Sequence, residues 1–417
     1  MLKLLKTVRF DKIVNILSMG GGRIAQTLLS FITVSILARA LGAEQLGIYS
    51  ILMAIFAYGS HFSDFGLRSI ILSEWNNKHY DSKSGVNSYF ACRLALSLLV
   101  CCIGYLIAAF LYPEYDFELF IVLTSTIFIS LQLDWFLIAN GRYNLAGWVL
   151  AIRPLAYLVG VIVFYQLKFL NLTVLVTLFV FSWLIFSLST YLYAKGNLPK
   201  VSIRLFSFPE SQRLLAKGLP LLMVALISQG IQNADLIFIG YRYGAEEAGQ
   251  YFIANSIIIA GMVFANASSQ IALGKMSHYV DDHELLLNKI KSEMRLLLGM
   301  ACILAVGIYI FSNLFIPLFF GDQYFKAVEL ISYFLAYFVA SYISGFLTSC
   351  MIVIGKQKKL MAINILRLSL LIVITISVSQ TSNNIGMIAL GKGFVEIVTV
   401  LLIVKYIFRN QSNKLID

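Results

Sequence analysis

Charge is what this chain has least of. Only 13% of its 417 residues are Asp, Glu, Lys or Arg, and 59% are hydrophobic, with a mean hydropathy of +0.83. Soluble globular domains carry about 25% charged residues, so that class is excluded. A disulfide framework is missing as well. The five cysteines (Cys92, Cys101, Cys102, Cys302, Cys350) lie in or beside apolar runs at no metal-ligand spacing and read as small buried hydrophobes. No Ser/His/Asp set, hydrolytic metal spacing or acidic cluster of a glycosyltransferase kind is present, so the chain is not expected to be an enzyme. His278, Asp281, Asp282 and His283 share one polar stretch, which reads as a solvated segment and not as a metal site. The run Gly386-Met387-Ile388-Ala389-Leu390-Gly391-Lys392-Gly393 comes close to a phosphate-binding loop. It ends in Gly where a magnesium-ligating hydroxyl belongs, and it lies inside an apolar segment, so no nucleotide and no other cofactor is expected.

What is present is a succession of apolar segments long enough to cross a bilayer, each needing roughly 20 residues. Twelve are predicted: 13–38, 46–70, 87–112, 117–139, 146–165, 170–193, 214–240, 248–272, 294–317, 327–352, 360–379 and 384–406. The first follows a basic N-terminus without a small-residue cleavage site and reads as a retained span, not a signal peptide. The net charge of +11 has a topological explanation, because Lys and Arg collect in cytoplasmic loops. With both termini in the cytoplasm, the outer side receives only Arg39, Lys168, Arg242 and Lys326, and Arg23 and Lys392 fall inside spans. Every other basic residue groups with the inner side, Arg153 and Arg367 from within spans, and a wrong span count would scramble that alternation.

The chain also repeats itself. Gly42-Ala43-Glu44-Gln45-Leu46-Gly47-Ile48-Tyr49 returns as Gly244-Ala245-Glu246-Glu247-Ala248-Gly249-Gln250-Tyr251, identical at five of eight positions. Each copy follows the first span of its half, and its glycines and acidic residues are expected to shape a hairpin turn. The Gly- and Pro-containing stretch 194–213 lies at the midpoint and reads as a linker. The expected architecture is therefore an all-α polytopic membrane protein of two parallel six-helix lobes, 1–200 and 201–417.

Ionisable residues within spans are costly, at least about 2.5–3.5 kcal/mol on insertion scales, and usually face a bundle interior or water. Arg23 lies about a third of the way into the first span, behind Gly20-Gly21-Gly22, and either faces inward or snorkels to the interface. Asp64 and Arg68 are four apart and read as an interfacial i,i+4 pair, and Lys392 and Glu396 as a second such pair or as coupling residues. Asp134, Asp235, Arg153 and Arg367 complete the set.

Several segments resemble those of bacterial polysaccharide flippases. In the first half these are Leu37-Ala38-Arg39-Ala40-Leu41-Gly42 through Tyr49, Asp64-Phe65-Gly66-Leu67, and Leu133-Asp134-Trp135-Phe136 with Asn140-Gly141. In the second half they are Gly218-Leu219-Pro220, Asn233-Ala234-Asp235-Leu236, Gly240 and Gly244 through Tyr251. The chain is thereby identified as Wzx-like, of the multidrug/oligosaccharidyl-lipid/polysaccharide exporter superfamily, with O-antigen flippases nearest in size. The resemblance implies a MATE-like fold of twelve helices and translocation of undecaprenyl-pyrophosphate-linked oligosaccharide across the bacterial inner membrane by alternating access. The expected partners are that lipid and the membrane lipids, with a polysaccharide polymerase and a chain-length regulator alongside, no nucleic acid, and a monomeric chain. Arginine holds phosphate bidentately and keeps its charge in a poor dielectric, so Arg23, Arg153 and Arg367 are the expected head-group contacts. Asp64, Asp134, Asp235, Lys392 and Glu396 are the expected coupling or gating residues, with H+ and Na+ both open as the coupling ion. Two rival functions stand beside this one: a cation-coupled antiporter of organic cations, and a non-transporting scaffold.

Overall fold

The computed structural model describes residues 2–75, 82–111, 113–196, 207–276 and 283–408, and every regular element among them is helical. In chain order these are α1 (Leu2–Asp64), α2 (Leu67–Glu74), α3 (Ser82–Leu111), α4 (Asp116–Ser130), α5 (Asp134–Ala139), α6 (Tyr143–Gln166), α7 (Leu172–Ala194) and α8 (Phe208–Tyr243). After them come α9 (Ala245–Met276), α10 (His283–Phe320), α11 (Phe325–Val353), α12 (Gln357–Thr381) and α13 (Gly386–Phe408). Among the described residues ten helical stretches are long and apolar enough to cross a membrane. Large apolar side chains stay exposed along them, such as Ile303 (74%) and Leu314 (66%) on α10, which is the surface lipid would cover. The predicted linker residues 197–206, and His278, Asp281 and Asp282, lie outside the described residues.

Three predicted spans take a different form from the one expected. The first and second are joined into α1, which turns sharply at Gly42 (φ 80°, ψ 173°), a conformation only glycine adopts without strain. The fourth breaks between α4 and α5. The backbone N–H of Leu133, released by the break, donates to Thr190 Oγ1 on α7 at 3.1 Å, as a backbone group without access to water requires.

The chain forms two compact units, Met1–Ala40 with Leu52–Leu226, and Leu41–Ile51 with Ile227–Asp417. In the first, α2, α3 and α5 enclose Leu67, Ile71, Val86, Tyr89, Trp135 and Phe136 together with Leu214 of α8. Polar bridges tie its helices: Ser63 and Ser97 share a hydrogen bond of 2.5 Å, and Ser97 Oγ also contacts the Thr126 carbonyl at 3.0 Å. In the second unit α11 is the buried axis. Phe334, Phe338, Tyr342 and Phe346 recur at i,i+4 and are all fully buried. Gly393 of α13 lies directly against the α11 backbone, where an added Cβ would stand 2.9 Å from the Tyr337 nitrogen.

The repeated octapeptide has two jobs, of which the sequence suggested one. Its first glycines do shape the turns, with φ of +80° at Gly42 and +96° at Gly244. Its second glycines make each copy fit the other. A Cβ on Gly47 would lie 1.7 Å from the carbonyl oxygen of Ala245, and one on Gly249 would lie 2.0 Å from that of Ala43. The contact is reciprocal, since Gly47 and Ala43 of one copy meet the equivalents of Ala43 and Gly47 in the other. Both copies lie within the second unit.

Candidate functional site

The second unit carries a chain of four charges on three helices. Asp235 stands eight residues from the end of α8, about 12 Å along it, and Lys392 is six residues into α13, about 9 Å. Lys392 Nζ donates to Asp235 Oδ2 at 2.7 Å and to the Gln232 carbonyl at 3.2 Å, and it sits 5.0 Å from the centre of the Tyr337 ring. Asp235 accepts further bonds from the Tyr251 hydroxyl (2.5 Å) and the Leu236 backbone N–H (3.0 Å). One turn deeper on α13, Glu396 is paired with Arg367 of α12. The side chains of Asp235, Lys392 and Glu396 are at most 3% exposed. Glu396 Oε1 is buried without a hydrogen bond among the described residues, the one unspent oxygen in the network.

This arrangement replaces the i,i+4 pair expected between Lys392 and Glu396. The buried face of α13 meets α8 on one side and α12 on the other, and each charge takes the cross-helix partner that neutralises it. A buried charge stripped of its partner costs about 3–5 kcal/mol, far more than an i,i+4 pair on a helix surface provides.

The first unit also carries a cluster of two carboxylates and two guanidinium groups. Arg68 reaches Asp134, with Nη2 2.5 Å from Oδ2 and Nε 3.4 Å from Oδ1. Arg93, fully buried, lies 3.3 Å from Asp64 and donates to the Tyr89 hydroxyl at 2.5 Å. The expected pair between Asp64 and Arg68 does not form. The helix breaks between them at Phe65 and Gly66, both at positive φ, so each takes its ion pair from another helix although Asp64 stays within electrostatic reach of Arg68. Arg93 was not among the predicted site residues. Its signal was Tyr89 one turn earlier in an otherwise apolar run, a phenol able to accept from a buried guanidinium.

Three arginines were expected to hold an anionic head group, and their surroundings differ. Arg367 already faces Glu396. Arg153, beside Pro154 on α6, is half-buried with its guanidinium 4.8 Å from the Trp183 ring centre and 5.8 Å from that of Phe179, which is cation–π packing. Arg23 is exposed on α1 and makes no ion pair with any described residue. It follows Gly22, which packs onto the backbone of Gly147 on α6 so closely that a Cβ would lie 2.2 Å from the carbonyl oxygen. Arg23 is therefore fixed to the same helix that carries Arg153, six residues beyond Gly147.

Beyond the spans, Glu74 at the end of α2 accepts from Arg213 (2.7 and 2.9 Å) and Lys217 (2.7 Å) of α8. Hydrogen bonding from Arg213 is the main cause that holds its carboxyl down at about 2. No group of three or more His, Cys, Asp or Glu able to hold a metal occurs among the described residues.

The profile of a family described as polysaccharide biosynthesis protein matches residues 36–329. A search of curated proteins finds no match. Among solved structures the chain is similar to a multidrug resistance MATE family transporter of the MOP superfamily in an inward-facing conformation. The TM-score is 0.76 at 15% identity, over 93% of this chain and 95% of that one. It is similar to the lipid II flippase MurJ in an inward closed conformation, with a TM-score of 0.76 at 13% identity over 93% and 87% of the two chains. A MOP superfamily transporter from Pyrococcus furiosus aligns with a TM-score of 0.58 at 16% identity, over 95% of each chain. At these identities the likeness establishes the fold, which is that of the MATE-type transporters of the MOP superfamily.

Proposed function

The chain belongs to the polysaccharide biosynthesis protein family, and from that membership we infer that it is a flippase for lipid-linked oligosaccharide. Its substrate is an undecaprenyl-pyrophosphate-linked repeat unit of O-antigen type, carried across the bacterial inner membrane by alternating access. No covalent bond changes. Twelve spans serve this: the ten apolar stretches, with the kinked Gly21–Asp64 stretch counted as two, and α9. They form six-helix lobes over 1–200 and 201–417, with both termini in the cytoplasm. The protein works as a monomer and hands its product to a polymerase and a chain-length regulator.

The observation that carries the reading is Arg23, an exposed guanidinium within an apolar span of a chain from this family, without a carboxylate partner among the described residues. A pyrophosphate needs such a group in a poor dielectric, and Arg153 on the adjoining helix supplies a second. In the second unit Arg367, paired with Glu396, is the further candidate for a head-group contact. Glu396, paired with Arg367 and with one carboxylate oxygen left without a hydrogen bond among the described residues, is the proposed coupling residue, for H+ or Na+. Asp64, Asp134, Asp235 and Lys392 set the helix positions between which the protein switches. Against the organic-cation antiporter stands Asp235 itself, because its carboxylate is already filled by Lys392, Tyr251 and a backbone N–H.

The test is translocation of a fluorescent lipid-linked oligosaccharide by the protein reconstituted in vesicles. Arg23→Ala should lose at least tenfold in rate and Arg23→Lys should retain an intermediate rate. Unaltered transport in both would remove Arg23 from the head-group site.

A further inference from the structure

The repeat departs from itself at its fourth position, where Gln45 of the first copy is matched by Glu247 of the second. Glu247 lines a cleft of about 380 Å3 with Lys326, Glu329, Leu330, Asn383, Asn384 and Ile385, at the ends of α9, α11 and α13 that the flippase topology puts outside the cell. We propose that this cleft is a saccharide-binding subsite that receives the glycan as it emerges on the outer face, an inference that rests on the flippase reading.

The size and the chemistry of the lining both point to a sugar. Small-molecule pockets begin at about 300 Å3, with a few fixed polar groups over an apolar floor. Here Leu330 and Ile385 are the apolar part, and both are buried. The polar part is held in place from behind. The Tyr243 hydroxyl donates to the Ser382 carbonyl at 3.0 Å, and Asn384 Oδ1 accepts from the Gly386 N–H at 2.7 Å, which sets the turn that carries Asn383 and Asn384. Gln250 clamps α9 to α11 through the Gln323 carbonyl (2.8 Å) and the Ala327 N–H (3.1 Å). Lys326 Nζ is 2.5 Å from Glu247 Oε1. The side chains of Glu329, which also lies within electrostatic reach of Lys326, and of Asn383 make no hydrogen bond among the described residues. A carboxylate beside a carboxamide offers the mix of acceptors and donors that vicinal hydroxyls take up pairwise.

Charge sets the ligand class. Two carboxylates outweigh one ammonium, so a phosphate head group is repelled. Lys326, bonded to Glu247, already supplies the positive charge that a divalent cation would bring. A neutral or amino-bearing oligosaccharide meets neither objection.

The experiment presents the full-length protein in nanodiscs to an array of immobilised lipid-free oligosaccharides of two to six sugars, with and without Ca2+. The expected result is Ca2+-independent retention of at least one glycan. It should weaken at least tenfold in Glu329→Gln/Asn383→Ala, whose thermal midpoint stays at the wild-type value because both side chains are exposed. Retention that is absent, equal in the variant, or dependent on Ca2+ overturns the subsite. Translocation of lipid-linked oligosaccharide by the same preparation then separates the two ideas. If translocation persists without glycan retention, the cleft alone is wrong. If translocation is absent too, the flippase reading falls with it.

Discussion

Replacing Gly249 by Ala puts the account of the repeat at risk in a single experiment. The new Cβ would stand 2.0 Å from the Ala43 carbonyl oxygen and 3.2 Å from the Gly47 nitrogen, and in Gly47→Ala it would stand 1.7 Å from the Ala245 carbonyl oxygen. Carbon–oxygen contacts settle at about 3.3 Å, so the two backbones must retreat by roughly 1.3–1.6 Å. Backbone cannot rotate out of the way as a side chain can. The added methyl therefore overpacks the contact, at about 1–3 kcal/mol for each single variant. The double variant should lose less than the sum, because the retreat forced by one methyl makes room for the other. Gly299→Ala is the control. It lies within α10 with nothing within 4 Å of the added Cβ, so better helix propensity should leave it neutral or up to about 1 kcal/mol more stable. The assay is reversible unfolding of purified protein in mixed detergent. A Gly249→Ala protein as stable as wild type, or strictly additive losses in the double variant, would refute the reciprocal packing.

Three further outcomes follow from the charge clusters. Asp235→Leu or Lys392→Met alone leaves a buried charge without its partner and should destabilise by about 3–5 kcal/mol, whereas the double variant should lose less than either, read by the same unfolding assay. Glu396→Gln should abolish the response of transport to an imposed H+ or Na+ gradient, and an unchanged response to both would remove Glu396 from coupling. Glu74 titrates at about 2 when folded and at 4.5 ordinarily, so its stabilisation is complete above pH 4.5 and disappears as pH falls toward 2. Glu74→Gln should therefore flatten that part of the stability–pH curve and meet wild type near pH 2.

The spans were legible because hydropathy over 20 residues is a local property, and so was the turn at Gly42, where a glycine separates two apolar runs. Partners were not legible. Asp64 and Arg68 invited pairing by their spacing, yet the break at Phe65 and Gly66 sends Arg68 to a carboxylate 66 residues away. Lys392 likewise bypasses Glu396 for Asp235, 157 residues away, because burial rewards the partner with the best geometry over the nearest in sequence. The repeat announced itself as a duplication, but only three dimensions showed that Gly47 and Gly249 are spaced to receive each other's copy. Arg93 escaped notice because its role depends on Asp64 across the fold and on Tyr89 beside it.

Whether this chain moves a lipid-linked oligosaccharide is read from transbilayer movement of fluorescent undecaprenyl-pyrophosphate-linked oligosaccharide in vesicles containing only the purified protein. Movement should run well above that of protein-free vesicles, with no efflux of cationic dyes by the same preparation. Dye efflux without movement of the lipid would contradict the flippase reading.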